Sequence, residues 1–482
     1  MASPDAPSAP AKDHGLSRRS VLTRSAAGLG IALSGSLNGL FGAETALARD
    51  GHGNGRGGGN GHGEDTAAGY GPLVPDPAGL LSLPAGFAYT IIARSGVTTL
   101  ETGEPTPSDP DGTASFVRKG GSGDVLVNNH EVSGGEPFTV PHVPGFVYGE
   151  TTFGGTTTIE VDNEGNRVRE YVSLAGTSTN CAGGKTPWDT WLTCEETEEI
   201  KGKRHGYVFE VDPYDQQANR DPKPIKAFGR YAHESVVIDP RRGTVYLTED
   251  ATAPNGLLYR WTPPGSAQPL RHGSLRALAD DAGTLEALAA FSGGTLVPDL
   301  SVATEPGTTY DARWVTVPER DATTVSTRRQ FADGTITRSR KLEGMWWGDD
   351  GAYFVASFAR TSDGSAAQHD GQVWFIDPDA GTIELKLHFA FTPADQDNDP
   401  DGPDNITVSA FGGLIIAEDG DGVNHLIGST ERGEVFFFAR NEEAESSEFT
   451  GPNFSHDKKF LFANVQSPGI VYAISGPFRK QR

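Results

Sequence analysis

The residues with the clearest chemical potential are acidic side chains and one cysteine, which hold similar places in a repeated hairpin pattern. The stretch 180–196 has Cys181 as its second residue, turns at residues 187–189 and ends on Glu195 and Glu196. In an antiparallel hairpin the second strand returns beside the first, and cross-strand neighbours lie about 5 Å apart. Cys181 is therefore expected close to the terminal acidic pair, which brings two kinds of metal ligand to one end of the hairpin.

The same hairpin pattern recurs later in the chain, and three copies open on an acidic residue, namely Glu234, Glu343 and Asp404. Two less regular copies, residues 114–131 and 452–466, bring the count to six. Repeated β-type hairpins are typical of a propeller, in which each blade sends one hairpin to a common axis. The pattern therefore predicts an all-β fold, a six-bladed β-propeller, in which the opening side chains converge.

The interval between the copies opened by Glu234 and Glu343 is longer than the others. It contains the run 275–288, whose composition favours a helix, so we expect a helical insertion between two blades. Long excursions in a compact fold often act as lids over a site. A packing role alone is equally compatible with the sequence.

Convergent carboxylates stay ionised at close range only if cations lie among them, because like charges raise each other's pKa values. Carboxylates suit Ca²⁺, whereas a thiolate suits iron, zinc or copper. The histidines lack a two-His zinc spacing such as H-E-x-x-H, so iron beside calcium fits best.

Cys181 has a second possible role, a disulfide with Cys194, because exported proteins with two cysteines commonly pair them. These two are the only cysteines of the chain. Folding in a reducing compartment before export, and the matching positions of Cys181 and Glu234, favour metal ligation instead. In that case Cys194 is buried and inert.

The N-terminal region predicts export. Residues 1–48 combine a twin-arginine start, a weakly apolar core and an Ala-Leu-Ala cleavage site that ends at Ala48. Residues 49–69 are rich in glycine and histidine and are expected to form a flexible linker. Residues 70–482 then form a single propeller domain, exported in the folded state to the periplasm or the medium, with the twin-arginine machinery as a partner during export and no membrane anchor.

The charge balance limits the possible partners. The chain has 40 Lys and Arg against 64 Asp and Glu, a net charge of −24. This argues against nucleic acid and membrane surfaces, which require a basic face. An anionic substrate requires bound cations that reverse the local field.

Six motifs together resemble the PhoX-type secreted alkaline phosphatases. They are N-H-E at 129–131, the cysteine stretch 180–196, H-E-S at 233–235, L-T-E-D at 247–250, E-G-M-W-W at 343–347 and D-G-P-D-N at 401–405. The likeness covers most of the chain after the N-terminal region, and the cysteine stretch is highly specific. The resemblance implies a six-bladed propeller, twin-arginine export and phosphomonoester hydrolysis at a cluster of two ferric ions, Fe(III), and calcium ions, Ca²⁺, with a bridging oxide.

The resemblance also implies a ligand set. Cys181, Glu234 and Glu343 would lie nearest the iron. The residues that would mainly hold calcium are Glu131, Glu196, Asp404 and Glu418. Within the adjacent acids 195/196, 249/250 and 418/419 either member is a candidate, and usually only one can ligate because neighbouring strand residues face opposite ways.

The position at which the family typically has a phosphate-contacting arginine holds Lys341 here, with Arg340 beside it. Lysine binds a phosphate as a point charge, whereas arginine binds it bidentately. The expected catalytic residues are Lys341, Glu343 and Glu234. They would act in metal-assisted hydrolysis, with cations on the phosphoryl oxygens and Lys341 on a non-bridging oxygen.

The expected protein is thus a secreted monomer that acts on small phosphate esters. Two other functions share part of the pattern. A calcium-dependent propeller lactonase or phosphotriesterase would not require the thiolate. A non-enzymatic propeller would use the cations only to hold its blades together, and its surface would bind a partner.

Overall fold

The computed structural model describes residues 68–392, 398–443 and 447–481. The predicted export signal and nearly all of the predicted linker lie outside these residues. None of the helices in the described ranges has the length and apolar character needed to span a bilayer. Antiparallel strands make up most of the regular structure.

The N-terminal third forms three small sheets and supplies strands to two others. The first strands are β1 (Leu73–Val74), β2 (Leu81–Pro84) and β3 (Ala88–Arg94). A four-stranded sheet follows, with β4 (Pro110–Val117), β5 (Asp124–His130), β6 (Gly154–Val161) and β7 (Arg167–Thr177). The next strands are β8 (Asn180–Lys185), β9 (Trp191–Glu195), β10 (Ile200–Lys201), β11 (Lys203–Arg204) and β12 (Val208–Val211). Strands β8, β9 and β12 form one sheet, and β10 and β11 form a separate hairpin.

The middle of the chain forms one continuous ten-stranded sheet. Its first strands are β13 (His233–Ile238), β14 (Val245–Glu249), β15 (Leu258–Thr262), β16 (Thr284–Ser292), β17 (Thr295–Val297) and β18 (Thr309–Thr316). Its last strands are β19 (Leu342–Gly348), β20 (Gly351–Ala356), β21 (Gly371–Asp377) and β22 (Thr382–Phe389). Strand β18 pairs with both β16 and β22, so it joins two four-stranded meanders along their outer edges.

The C-terminal strands complete two sheets with strands from the start of the described chain. One contains β23 (Pro403–Val408), β24 (Leu414–Glu418), β25 (His425–Ser429) and β26 (Val435–Asn441), followed by β2 and β1. The other contains β27 (Phe449–Phe454), β28 (Phe460–Val465) and β29 (Ile470–Ser475), followed by β3. Pairing of β3 with β29 ties the two ends of the sheet-forming chain together.

The helices of the described chain are short 3-10 turns. They are Gln216–Asn219, Lys226–Phe228, Gly265–Ala267, Leu275–Ala277, Leu300–Val302, Thr327–Arg329 and Thr361–Asp363. The predicted helical insertion over 275–288 is wrong, because only Leu275–Ala277 makes a turn and the run continues into β16. Alanine and leucine favour helices intrinsically, but pairing of β16 with both β15 and β18 overrides that preference.

Six strands surround a common centre: β4, β8, β13, β19, β23 and β27. Each contacts the next in this order, and β27 contacts β4, so the ring closes. Large buried apolar clusters lie between neighbouring sheets, for example one that joins Leu192 and Val208 to Val236 and Trp261. The arrangement is all-β and propeller-like, although the third and fourth predicted repeats are merged into one sheet through β18.

Candidate metal centre and active site

Each inner strand places its second residue at the same position in the ring. These residues are Asp111, Cys181, Glu234, Glu343, Asp404 and, in β27, Thr450. In five of the six strands the pairing register shifts across this point, for example between Pro110 and Thr113 in β4, and in β27 it shifts one residue later, between Thr450 and Asn453. A bulge re-aims the side chain next to it, and bulges are common beside active sites. The equivalence predicted for Cys181, Glu234, Glu343 and Asp404 is therefore an equivalence of register.

Small residues after these positions let the inner strands approach closely. A Cβ atom added to Gly112 would lie 2.6 Å from Ala182 Cα, and one added to Gly344 would lie 2.6 Å from Asp404 O. Real Cβ contacts with backbone atoms are longer, so larger residues would push the strands apart. Glycine at these two positions thus supports the convergence of the functional side chains.

In this centre, two groups of possible ligand atoms lie close enough to hold single ions. The side chains of Cys181, Glu196 and Glu234 each offer an atom within 4.8 Å of the others. Glu234, Glu343 and Asp404 form a second such group. Because Glu234 belongs to both groups, the two positions adjoin, and Cys181, Glu234, Glu343 and Asp404 are all buried.

Burial and mutual repulsion raise the pKa values of these acids. The pKa of Glu234 lies well above its usual range because of burial, then of Glu343 and Asp404. The pKa of Glu196 is raised in the same direction, first by burial and then by other acids. Burial and Asp419 raise the pKa of Asp404 to about 7. These carboxyl groups can ionise together only if positive charge lies among them.

The hydrogen bonding of the cluster is incomplete in a way that fits bound cations. Asp111 Oδ1 and Glu234 Oε2 are buried and have no hydrogen-bond partner within the described ranges. A buried oxygen without a donor costs about 1–3 kcal/mol, and a cation removes that cost. Carboxylates suit hard cations, whereas the sulfur of Cys181 suits a transition metal. The residues present therefore fit a mixed metal centre.

The two cysteines are both free and buried. Cys181 Sγ lies 3.2 Å from the carbonyl oxygen of His233, at the start of β13. Cys194 packs in the apolar cluster between two sheets. Burial, followed by Glu234, raises the pKa of Cys181 well above its usual range, so a thiolate there needs a cation beside it. The disulfide alternative does not hold in this structure.

The first member of each acidic pair is held by groups of its own sheet. Glu418 accepts hydrogen bonds from the backbone N–H of Asp401 and from the backbone N–H and Nδ1 of His425. Glu195 and Glu249 are held in the same manner. Their donors include His205 Nδ1, Gly206 N and Tyr207 N for Glu195, and Leu257 N, Tyr259 Oη and Arg328 Nη1 for Glu249.

The second member of each pair faces the centre. Glu196 belongs to the group with Cys181, and Asp250 raises the pKa of Glu196 after burial. Asp419 Oδ2 lies 3.3 Å from Lys341 Nζ. The structure thus favours Asp419 over the predicted ligand Glu418 as the acid that faces the centre.

Glu131 and Asp111 form the part of the acidic ring that lies at β4. Gln466 Nε2 donates hydrogen bonds to Glu131 Oε2 at 2.7 Å and to Asp111 Oδ2 at 3.2 Å. Burial, then Glu131 and Asp404, raise the pKa of Asp111 well above its usual range. Sequence reasoning missed Asp111, although Pro-Asp-Gly at 110–112 matches Pro-Asp-Asn at 403–405.

Lys341 is the cation nearest the carboxylates. Its Nζ lies 3.1 Å from Glu343 Oε1 and 3.3 Å from Asp419 Oδ2. Burial lowers the pKa of Lys341, but Glu343 and Asp419 outweigh burial and raise it well above its usual range. Lys341 is therefore positively charged in the site.

One protein family matches most of the chain. The model of the family alkaline phosphatase PhoX matches residues 68–469. The chain belongs to this family. Membership makes it a PhoX-like alkaline phosphatase, a phosphoric monoester hydrolase, and confirms the family that its motifs resemble.

Several solved structures resemble this PhoX member at low sequence identity. A structure described as a gluconolactonase is 12% identical, covers 85% of this chain and 99% of its own, and has a TM-score of 0.39. A gluconolactonase from Xanthomonas campestris is 12% identical, covers 85% of this chain and 99% of its own, and has a TM-score of 0.37. The PQQ domain of a pyranose dehydrogenase from Coprinopsis cinerea is 10% identical, covers 83% of this chain and 98% of its own, and has a TM-score of 0.39. No curated protein matches the chain.

The acidic pair at 418/419 gives a direct test of which acid holds metal in this PhoX chain. We expect Asp419→Asn to weaken metal binding by about 10–100-fold, because it removes a charge that faces the centre. Glu418→Gln is expected to lower the free energy of unfolding by about 1–3 kcal/mol, since it disturbs buried hydrogen bonds. Metal retained after dialysis against a chelator and urea unfolding measure the two effects. Loss of metal from Glu418→Gln alone, with Asp419→Asn unaffected, would reverse the assignment.

Proposed function

We propose that the chain is a secreted, metal-dependent phosphomonoesterase that hydrolyses small phosphate esters at an iron–calcium cluster on the axis of a six-bladed propeller. One observation supports this above all: the sulfur of Cys181 and four carboxylates, three of them buried, form two adjoining ligand groups. A site of this kind combines a soft donor with hard donors, as a mixed cluster requires.

Six blades are supported by the repeated register of the inner strands. Each of β4, β8, β13, β19, β23 and β27 carries its functional position second, with a register shift across it or directly after it. The continuous sheet then counts as two blades, β13–β16 and β19–β22, whose outer edges are joined by β18. The final blade contains β27–β29 and closes with β3.

The proposed ligand set combines residues of both groups, with Glu234, which belongs to both, at its centre. Cys181, Glu234 and Glu343 hold iron, and the remaining acids mainly hold calcium. Those acids are Glu131, Glu196, Asp404 and Asp419, with Asp111 as an addition. Bound cations would stabilise charge on the phosphoryl oxygens and make a water molecule more acidic.

The protein's own contribution is to hold charge in place and to orient the substrate. The closed ring of inner strands fixes the backbone positions of Glu234 and Glu343, because β13 and β19 are in direct contact. Lys341 exchanges its ion pair with Asp419 for a non-bridging oxygen of the phosphoryl group, and so neutralises charge that grows in the transition state. Lysine can do this because it acts as a mobile point charge.

In this proposal the protein acts outside the cytoplasm. The twin-arginine start at residues 1–48 directs the folded chain, with its metals bound, to the periplasm or the medium. The net charge of −24 favours a soluble monomer that acts on small esters rather than on nucleic acid or a membrane surface.

The test is metal analysis and turnover of the purified, unheated protein. We expect iron and calcium together, an absorption band from charge transfer between thiolate and iron, and hydrolysis of p-nitrophenyl phosphate at neutral to alkaline pH. A chelator should remove activity, and added metals should restore it. Zinc as the sole metal would overturn the proposed cluster. Loss of thermal stability on chelation, without any phosphatase activity beforehand, would instead identify a non-enzymatic, metal-stabilised propeller.

A further inference from the structure

Positive charge near the site is concentrated around one aromatic ring, that of the buried residue Phe358, which follows β20. Arg340, Lys341 and Arg360 lie over this ring, 5.2, 5.4 and 5.3 Å from its centroid. Cations over an aromatic face are attracted to it. The acids of the ring surround the rest of the centre, so an anion approaching the site meets positive charge on this side.

An unusual backbone conformation brings two of these cations together. Successive side chains of an extended strand point to opposite sides, so Arg340 and Lys341 would normally diverge. Lys341 instead has a φ of 44°, in the left-handed region that residues other than glycine seldom adopt. Both side chains therefore reach Phe358. Backbone strain of this kind tends to occur at functional sites.

The two cations reach different parts of the site. Lys341 lies between Glu343 and Asp419, within the ligand ring. Arg340 links the edge of the centre to a turn outside it: its Nη1 lies 3.3 Å from Asp250 Oδ1, and its Nε lies 3.5 Å from Asp363 Oδ2. Asp363 belongs to the 3-10 turn Thr361–Asp363, outside the ligand ring. Arg340 and Lys341 are thus placed to contact two separate anionic groups rather than one.

Arg340 is incompletely used by the fold. Its Nε is buried and has no hydrogen-bond partner in the part of the chain that the structure describes. Arg360, over the same ring, donates hydrogen bonds to Asp370 and to the carbonyl oxygens of Ala359 and His369. The contact of Arg340 Nε with Asp363 is an ion pair at 3.5 Å and not a hydrogen bond, so an anionic group beside the active site can compete for this guanidinium through a bidentate contact.

We propose that Arg340 binds a second anionic group of the substrate, so that the enzyme prefers phosphate esters whose leaving group carries its own carboxylate or phosphate. The inference rests on the proposed phosphomonoesterase function. In this arrangement Lys341 contacts the phosphoryl group that is transferred to water, and Arg340 contacts the group that departs. Arg340 is therefore a specificity-determining residue.

The test compares two substrates in two proteins. Wild type and Arg340→Gln are assayed with phenyl phosphate and with 4-carboxyphenyl phosphate. We expect the substitution to lower kcat/KM at least about tenfold more for the carboxylated ester, because a hydrogen bond to a charged group contributes about 1.5–3 kcal/mol. The ratio of the two effects cancels any difference in intrinsic reactivity between the esters.

Arg360→Gln is the matched control, because it removes a cation from the same ring but should affect both esters equally. Binding of the non-hydrolysable phenylphosphonate and 4-carboxyphenylphosphonate, measured by calorimetry, provides a readout without turnover. Equal losses for both ligands in Arg340→Gln, or no loss for either, would overturn the inference. Absence of hydrolysis in wild type would instead contradict the proposed function, and the two phosphonates would still test Arg340.

Discussion

Replacing Cys181 with serine is expected to remove iron from the purified protein and to lower phosphatase turnover at least about 100-fold. Residues that merely support a metal ligand already contribute 10–100-fold to metal affinity, so a direct ligand should contribute at least as much. Cys181 offers the sulfur in the group with Glu196 and Glu234. A serine hydroxyl in its place is a poor ligand for a transition metal and restores no negative charge. Iron content and kcat measured on the same preparation check the result.

Cys194→Ala is the matched control for this substitution. Cys194 is buried in the same apolar cluster as Cys181, but it belongs to neither ligand group. We expect it to lower stability slightly while iron content and turnover stay within a few-fold of wild type. If Cys181→Ser kept its activity, a calcium-dependent propeller hydrolase that needs no thiolate would explain the site better.

The repeated position was predictable because strand pairing preserves spacing. Cys181, Glu234, Glu343 and Asp404 each open a hairpin in the sequence, and each is the second residue of an inner strand in the structure. The apolar strands and glycine turns after them fix the hairpin register. A recurring pattern of this kind carries information about three-dimensional convergence that single residues do not.

The choice within each acidic pair was not predictable from spacing. Strand alternation says that only one of Glu418 and Asp419 can face the centre, but the phase depends on the register shift in β23. His425 decides the outcome by donating two hydrogen bonds to Glu418 from the neighbouring strand β25. Such a contact depends on tertiary pairing, and no local signal in the sequence marks it.

Two other differences have local causes. Asp111 precedes the run in which the first repeat was recognised, so the match between residues 110–112 and 403–405 went unused. The run 275–288 was read as a helix because alanine and leucine dominate it, whereas β16 is held on both edges by β15 and β18. Long-range pairing of this kind outweighs helix propensities of less than about 1 kcal/mol per residue.

Without its metals, the protein is expected to become less stable as pH rises above about 6.5. Acids whose pKa is raised by folding hold protons in the folded state that the unfolded state has already lost. The unfolding free energy then falls as pH rises, by about 1.4 kcal/mol per pH unit for each such proton. Asp404, with a pKa of about 7, and Glu234, whose pKa is raised further by burial and its neighbours, both act in this direction.

The expected fall in stability begins only near pH 6.5, because below that pH the buried histidines make stability rise with pH. Burial lowers the pKa of His130 to about 4 and that of His233 to about 3, so their neutral forms favour folding increasingly as pH rises to about 6.5. Above that value their contribution is constant. The carboxyl groups of the metal centre then determine the slope, together with Glu249 and Asp401, whose pKa values burial raises to about 7 and about 8.

Urea unfolding of chelator-treated protein from pH 6.5 to 9, with and without added iron and calcium, measures this effect. We expect the metal-free midpoint to fall across the range and the metal-loaded midpoint to stay nearly constant, because cations bind the ionised cluster only in the folded state. Glu234→Gln should flatten the metal-free slope, since it removes one titrating group from the centre. A metal-free midpoint that is independent of pH would mean that the carboxylates are already compensated by the chain itself, and the physical case for bound cations would fail.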